Sequence, residues 1–446
     1  MAENKKFLEK VASDKANLIE LQFTDIFGTI KSVTITAERL EEVIEKGAWF
    51  DGSSIEGFVR IHESDMFLKP DISTYSLIPW KIDEKCRSAR IICDVHVPGG
   101  GAFEGDPRNI LKMAVGKAED MGYLYNVGPE LEFFLFEKAN GKPRPVPHDV
   151  GGYFDFAPKD LASDVRRDII FALQKLGLQV ETSHHEVAPG QHEIDFKYGG
   201  AVSTADNVVS FKYAGKSIAQ IHDLYASFMP KPLFGVNGSG MHVHQSLFDI
   251  KTEKNVFFDA NDKYKLSKTA KHFIAGQLKH AKAIAALVAP TVNSYKRLVP
   301  GYEAPVYICW GQVNRSALIR IPRYSKGREE STRAELRCPD PSANPYLAFA
   351  AMLTAGLDGI EKEIELADAV EEDVYGFDDS KLKELNIDTL PGSLYESLQE
   401  LKKDRVIFDS LGNHAKETYY NAKMKEWDRF RIQVTDWELG QYFDVL

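Results

Sequence analysis

The chain has 446 residues, with 55 Lys and Arg against 66 Asp and Glu, a net charge of −11. That length exceeds one ordinary domain and fits two or three, and the acidic balance argues against a nucleic-acid-binding surface as the main function. The N-terminal MAENKKFLEK has no apolar signal region, and no unbroken apolar run approaches a membrane span, so an unexported, cytoplasmic protein without a membrane segment is expected. Cys86, Cys93, Cys309 and Cys338 show neither CxxC nor zinc-like spacing, which fits reduced thiols used in packing.

Along the chain, LIELQFTDIFGTIKSVTI alternates apolar and polar residues on both sides of a TDIFG turn, the pattern of a β-hairpin opening a small β-rich unit. The Gly-rich stretch 97–107 reads as a linker. It ends on Asp106-Pro107, an N-cap followed by a first-turn proline, which predicts a helix over 107–122. Further helices are predicted over 159–176, with Leu161, Val165, Ile169, Leu173 and Leu176 on one stripe, and over 204–228, 267–288 and 346–364. Acidic 368–379 reads as a surface loop. Strand-like pieces alternate with long helices without short βαβ periods, so the expected class is α+β.

Four strand-like segments carry charge on one face of an apolar pattern. In GPELEF, Glu130 and Glu132 share a face against Leu131 and Phe133. A single Glu-x-Glu could be the wet side of an edge strand. In HHEVAPGQHEIDF, Glu186 and Glu193 flank a Pro-Gly turn that can fold them back together. His242 and His244 in GMHVHQ, and Arg333, Glu335 and Arg337 in TRAELRC, repeat the alternation. Converging carboxylates repel and require a counter-charge, and an oxygen-rich set with one imidazole suits Mg²⁺ or Mn²⁺ better than zinc. Arg297, Arg315, Arg320, Arg333 and Arg337 fall close together in sequence, and guanidinium forks bind carboxylate and phosphate. Metals beside arginines describe phosphoryl transfer. Neither GxxxxGK[ST] nor GxGxxG occurs, so ATP would bind without a P-loop or Rossmann turn. The NGSG stretch at Asn237 to Gly240 is either a close backbone approach to a ligand or a simple turn.

Together with FDGSSIEGF, ESDM, NSYKRLVPGYEAP, NRSALIRIP and CPDPSANPYLAFAAMLTAGLDGI, these segments resemble type I glutamine synthetase over essentially the whole chain. The resemblance implies an N-terminal β-grasp domain (1–103) and a larger catalytic domain (104–446) whose curved antiparallel sheet forms a half-barrel surrounded by helices. It implies ATP-dependent ligation of ammonia to L-glutamate through γ-glutamyl phosphate, with at least two Mg²⁺ or Mn²⁺ ions per site. Glu132, Glu186 and Glu193 resemble the ligands of one metal; Glu130, His242 and Glu335 resemble those of the other. Arg297, with Asn237 and Gly238, resembles the glutamate-binding group, and Arg315 and Arg337 the phosphate stabilisers. Tyr198, His244 and Ser246 resemble nucleotide contacts, and Arg315, Arg320 and Arg333 are the arginines expected to bind the nucleotide with them. Asp51 and Glu303 resemble the ammonium-binding and deprotonating groups, and Arg60 an arginine of glutamine feedback.

The family pattern further implies a dodecamer of two hexameric rings with sites between subunits, and TDWELGQYFDVL resembles its clasping tail. A nitrogen-regulatory protein is a further partner of the kind the resemblance suggests. The chain departs from many bacterial members at Glu330, where they carry a nucleotide-contacting lysine. Tyr375 stands in DVYGFDD without the context of an adenylylated tyrosine, so no adenylylation is expected. The alternatives are a γ-glutamyl-polyamine or other amine ligase, against which Asp51 speaks, and a catalytically dead structural relative, against which the full set of metal ligands speaks.

Overall fold

The alternating segment 18–36 forms β1 (Leu18–Thr24) and β2 (Ile30–Thr36), antiparallel with Leu18 opposite Thr36. The Asp25 carboxylate closes the turn by accepting the Phe27 and Thr29 N–H groups. In the computed structural model the described residues are 2–446 except 54, 56, 58–64, 301–303 and 313. β3 (Ala48–Asp51), β4 (Asp65–Pro70), β5 (Ser76–Ile82) and β6 (Arg87–His96) complete the small sheet in the order β2-β1-β6-β4-β3, with β5 also on β6. β1 and β6 run parallel, the arrangement of a β-grasp domain. Helices α1 (Ala2–Ser13) and α2 (Leu40–Lys46) supply Phe7, Val11, Leu40 and Val43 to its core.

Asp106 caps α3 (Pro107–Asp120) as expected, accepting the Arg108 N–H with proline in the first turn. The large sheet is organised on a 17-residue strand, β7 (Tyr123–Ala139). Against it lie β8 (Lys142–Pro147), β10 (Gln191–Phe196), β11 (Gly199–Gly200), β12 (Leu224–Ser227) and β13 (Met241–Asp249). β9 (Val180–His185) pairs with β10. On the other side β14 (Tyr307–Gly311), β15 (Ala317–Arg320) and β16 (Ala334–Leu336) extend the sheet from β13, and β17 (Asp388–Thr389) ends it. This curled half-barrel packs on α4 (Ser163–Lys175), α5 (Ala201–Ile221), α6 (Lys268–Lys279), α7 (Ala281–Val288), α8 (Ser294–Arg297) and α9 (Pro345–Glu361). Most of the buried apolar residues form one continuous core there. Among the described residues no helix is long and apolar enough to cross a membrane, and all four cysteines are free.

Three predicted helices end differently. The helix expected over 159–176 begins at Ser163, because Asp160 accepts the Ala162 N–H and both Arg166 Nη atoms; Leu161 therefore precedes the helix and is 57% exposed. The helix expected over 204–228 stops at Ile221: Asp223 takes a left-handed φ of 57° and the chain turns into β12. The helix expected over 267–288 breaks at His280, whose ring is held by Asp358 and Asp404. The helix expected over 346–364 forms as Pro345–Glu361.

Candidate active site

β7 is not an edge strand. β10 covers it on one side and β13 on the other through the GPELEF segment. Leu131 and Phe133 are fully buried in the core, and alternation turns Glu130 and Glu132 to the opposite face. Register then assembles a row across the sheet. Glu193 of β10 lies opposite Glu132, and His184 of β9 opposite Glu193. His242 of β13 lies opposite Glu130, Glu335 of β16 opposite His244, and Arg320 of β15 opposite Glu335. Directly opposed residues share a face within about 5 Å at Cβ, so pairing alone brings these charges together.

Glu186 follows β9 in the hairpin turn, and its N–H donates to the Gln191 carbonyl, which folds it back toward β10. His184 Nε2 then lies 3.8 Å from a Glu186 oxygen and 3.9 Å from a Glu193 oxygen. Ligand atoms of His184, Glu186 and Glu193 fall within 4.8 Å of one another, as do those of Glu130, His244 and Glu335. His242 Nδ1 stands 3.6 Å from Glu130 and 3.8 Å from Glu335.

The electrostatics are those of a cluster short of positive charge. Burial, then the neighbouring Glu186, pushes the Glu132 carboxyl up to about 8. Burial, then Glu132, pushes Glu193 up to about 12. Among the described residues neither Glu132 nor Glu193 forms an ion pair with a lysine or arginine, and the buried Glu335 Oε1 accepts no hydrogen bond. Glu130 differs: burial opposes its ionisation, but His242 and His244 hold it well below the usual carboxylate range. Burial and Arg337 hold His242 low, which leaves its ring neutral with a lone pair available. His244 has no such lone pair. Its Nδ1 accepts from Arg333 Nε at 3.1 Å, so Nε2 carries the proton and donates to Glu130 at 2.7 Å. Of the two histidines, His242 is the one whose chemistry suits a metal.

The arginines occupy different stations. Arg297 is 4% exposed and donates to the carbonyls of Arg337 (3.3 Å), Cys338 (2.9 Å) and Pro339 (3.2 Å). The NGSG segment passes so close that a Cβ at Gly240 would sit 2.6 Å from Arg297 Nη2, which explains the glycine there; neighbouring Gly238 presents its carbonyl to Gln191. Asn237 precedes it, half-buried. Arg320 Nε lies 2.5 Å and Arg337 Nη1 3.6 Å from Glu335. Arg315 is exposed in the turn before β15.

Tyr198, His244, Ser246 and Arg333, with Glu130 and Glu330, wall a cavity of about 460 Å³; Arg315 and Arg320 are not part of its wall. A larger cavity of about 790 Å³ lies between the small sheet and α5 and holds none of the candidate site residues. Asp51 ends β3, exposed, its carboxylate accepting the Ser53 N–H; among the described residues no hydrogen bond or ion pair joins it to the acidic row. Glu303 and Arg60 lie outside the described residues. The Tyr375 hydroxyl donates to the Ala304 carbonyl.

Three neighbours escape the sequence reading. Gln191 donates to Glu132 and to the Gly238 carbonyl, His184 faces Glu186 and Glu193, and Asp195 lies opposite Glu130. Asp195 was within reach, since HEIDF alternates it onto the face of Glu193.

A β-grasp sheet beside a half-barrel lined with carboxylates, imidazoles and arginines defines a two-domain protein whose larger sheet carries candidate metal-binding clusters. The glutamine synthetase β-grasp domain model matches residues 15–98, and the glutamine synthetase catalytic domain model matches 104–442. The chain is 54% identical to glutamine synthetase of Thermotoga maritima (97% of each chain covered) and 54% identical to that of Methanosarcina mazei (98% and 97%). It is 52% identical to that of Halobacterium salinarum (98% and 96%). Its fold matches a GmaS–ADP complex with TM-score 0.89 at 32% identity (98% and 99% covered). It also matches Plasmodium falciparum glutamine synthetase with TM-score 0.88 at 27% identity (98% of each). The chain belongs to the glutamine synthetase family.

Proposed function

We propose that this chain is a glutamate–ammonia ligase: it joins ammonia to L-glutamate with ATP, giving L-glutamine, ADP and phosphate through γ-glutamyl phosphate. The observation that carries the reading is the register-built row of carboxylates in which Glu132 and Glu193 are pushed up with no lysine or arginine among the described residues paired to them, on a chain 50–54% identical to named glutamine synthetases. Glu132, Glu186 and Glu193 would hold one divalent ion and Glu130, His242 and Glu335 a second, Mg²⁺ or Mn²⁺ by the hardness of the donors. Bound there, the ions supply electrostatic stabilisation of the transferring phosphoryl group.

The protein's own groups do the rest. Arg297, with Asn237 and Gly238, binds the glutamate carboxylate, which orients the side-chain oxygen for attack. Arg315 and Arg337 offset the charge that grows on the phosphoryl oxygens. Tyr198, His244, Ser246 and Arg333 hold the nucleotide in their shared cavity, with Arg320 bridging to the metal side through Glu335. Ammonium, the form present at neutral pH, is held by anions and loses its proton to Asp51 or Glu303 before attacking the acyl phosphate.

Asp51 lies on the small sheet, so it serves a neighbour's site in a dodecamer of two hexameric rings; the exposed Trp437, Phe443 and Leu446 of the C-terminal segment fit a tail that clasps another subunit. Domain boundaries at 1–103 and 104–446, a cytoplasmic location, glutamine feedback through Arg60 and a nitrogen-regulatory protein partner belong to the same reading. The amine-ligase reading is weaker, since the relatives at 50–54% identity are named glutamine synthetases. A screen of ADP release with ammonia, ethanolamine and putrescine tests the choice. Ammonia should be the best acceptor by far, and turnover with an amine in its absence would overturn the assignment.

A further inference from the structure

Directly behind the hairpin that carries Glu186 and Glu193 lies a second set of ionisable groups, Asp149, His185, His192, Asp160 and Arg166, at most 9% exposed. Ligand atoms of Asp149, His185 and His192 lie within 4.8 Å of one another, which invites a third metal site. The hydrogen bonds argue otherwise. His185 presents Nε2 to Asp149 at 3.0 Å and Nδ1 to the Glu186 carbonyl at 2.7 Å, so both nitrogens are engaged. His192 Nδ1 faces Arg166 Nη1 at 2.9 Å, and that guanidinium, bound to Asp160, would repel a cation.

What these bonds do is clamp the turn. The Asp149 Oδ1 that meets His185 also accepts the Gly190 N–H at 2.8 Å, and Oδ2 accepts the Leu161 N–H at 3.2 Å. One carboxylate, 36 residues upstream of His185, therefore fixes the far end of the 186–190 turn directly and its near end through His185. Orienting the Glu186 carbonyl fixes the peptide plane after Glu186, and the Val187 N–H in that plane donates to Glu186 Oε2 at 2.8 Å, so the same plane holds the carboxylate. Gly151 makes room for the ring, since a Cβ there would lie 2.6 Å from His185 Nε2.

We propose that Asp149 and His185 are positioning residues that set Glu186 against Glu132 and Glu193, so that divalent-ion affinity depends on side chains that never touch the ion. This rests on the reading of Glu186 as a metal ligand. Groups that orient metal ligands typically contribute roughly 10- to 100-fold to affinity. The test is direct Mn²⁺ binding, followed by the paramagnetic resonance of free Mn²⁺, on the full-length protein without substrates.

Asp149→Asn, which keeps an acceptor for Gly190, and His185→Gln, which loses the donor to Glu186, should each weaken Mn²⁺ binding by roughly 10-fold or more. His185→Asn, whose amide can reach the Glu186 carbonyl, should recover most of it. Glu186→Gln is the control: wild-type binding there removes the ligand reading itself. Impaired binding there, with wild-type affinity in Asp149→Asn and His185→Gln, removes only the positioning proposal. Equal impairment of His185→Asn and His185→Gln, or failure of the position 149 and 185 variants to fold, would assign the pair to fold maintenance and overturn it.

Discussion

Two clusters of buried charge lie in this molecule, and they are balanced differently. Between the domains, Arg108 of α3 reaches Asp71 (2.7 Å), Asp94 (2.6 Å) and Asp206 (2.9 Å), while Lys112 also meets Asp94 and the Tyr346 hydroxyl donates to Asp206. Burial opposes the ionisation of Asp71 and Asp94, yet both carboxyls are held below their ordinary range, Asp71 by the Ser73 hydroxyl and then Arg108, and Asp94 by Arg108 and Lys112. In the half-barrel, Glu132 and Glu193 are pushed up to about 8 and about 12 because burial and like charge act with too little opposing them. The first cluster is complete as the chain folds. The second is stable only with protons or with added cations, and that incompleteness marks it as the site.

The largest expected effect tests whether the two regions meet across subunits. Asp51→Ala should lower activity by about 10²- to 10⁴-fold, the usual cost of losing a proton-transfer group, and Glu186→Ala should leave comparably little by removing a metal ligand. Co-expressed variants that mix randomly in rings should recover about a quarter of wild-type activity, because a heterologous contact uses a different face of each subunit. Mixed oligomers no better than either variant would place Asp51 within its own chain or outside the reaction. Next in size is the balanced cluster. Arg108→Met leaves Asp71, Asp94 and Asp206 with Lys112 as the remaining cation of the clasp and should cost about 3–5 kcal/mol of stability, read as a lower midpoint in urea. A loss under about 1 kcal/mol would mean that the clasp is dispensable.

The same contrast explains what the sequence could tell. Strand alternation and the Pro-Gly turn are local, so Glu130, Glu132, Glu186 and Glu193 can be grouped from the order of residues alone, and antiparallel register does bring three of them side by side. The Arg108 clasp could not be read, because its partners come from residues 71, 94 and 206 and nothing local links them. The misplaced helix ends have the same origin. His280 with Asp358 and Asp404 is a tertiary contact that overrides a continuous apolar stripe, and Asp160 with Arg166 is a buried side-chain pair at the helix start that the stripe does not encode. Gln191 escaped because an uncharged side chain between two carboxylates carries no pattern of its own.

If the half-barrel row is held apart by its own repulsion, removing a carboxylate and adding a cation should both stabilise it. Mg²⁺ at about 100 times its dissociation constant should add about 2.7 kcal/mol to the wild type. Glu193→Gln should melt above the wild type in EDTA and gain less from Mg²⁺. A Glu193→Gln protein that is less stable than the wild type without metal would show that other contacts balance the row and that repulsion does not strain it.

The smallest expected effect concerns the balanced kind of cluster at the break between α6 and α7. His280 Nδ1 lies 2.5 Å from Asp404 and Nε2 3.0 Å from Asp358, where Lys279 and Lys362 also stand. Burial alone would lower the imidazole, but hydrogen bonds to Asp404 and Asp358 outweigh it and raise it above its ordinary value of 6.5. A raised folded-state value means that folding favours the protonated ring. Its contribution is therefore fully present below about pH 6.5 and fades as pH rises through the folded value. His280→Gln should cost about 2 kcal/mol at about pH 6, the worth of a charge-assisted hydrogen bond, and progressively less toward about pH 9. Thermal melts of wild type and variant across that range check it. A gap that widens with pH would mean that the ring is neutral in the folded protein and that helix geometry, not charge, holds the break.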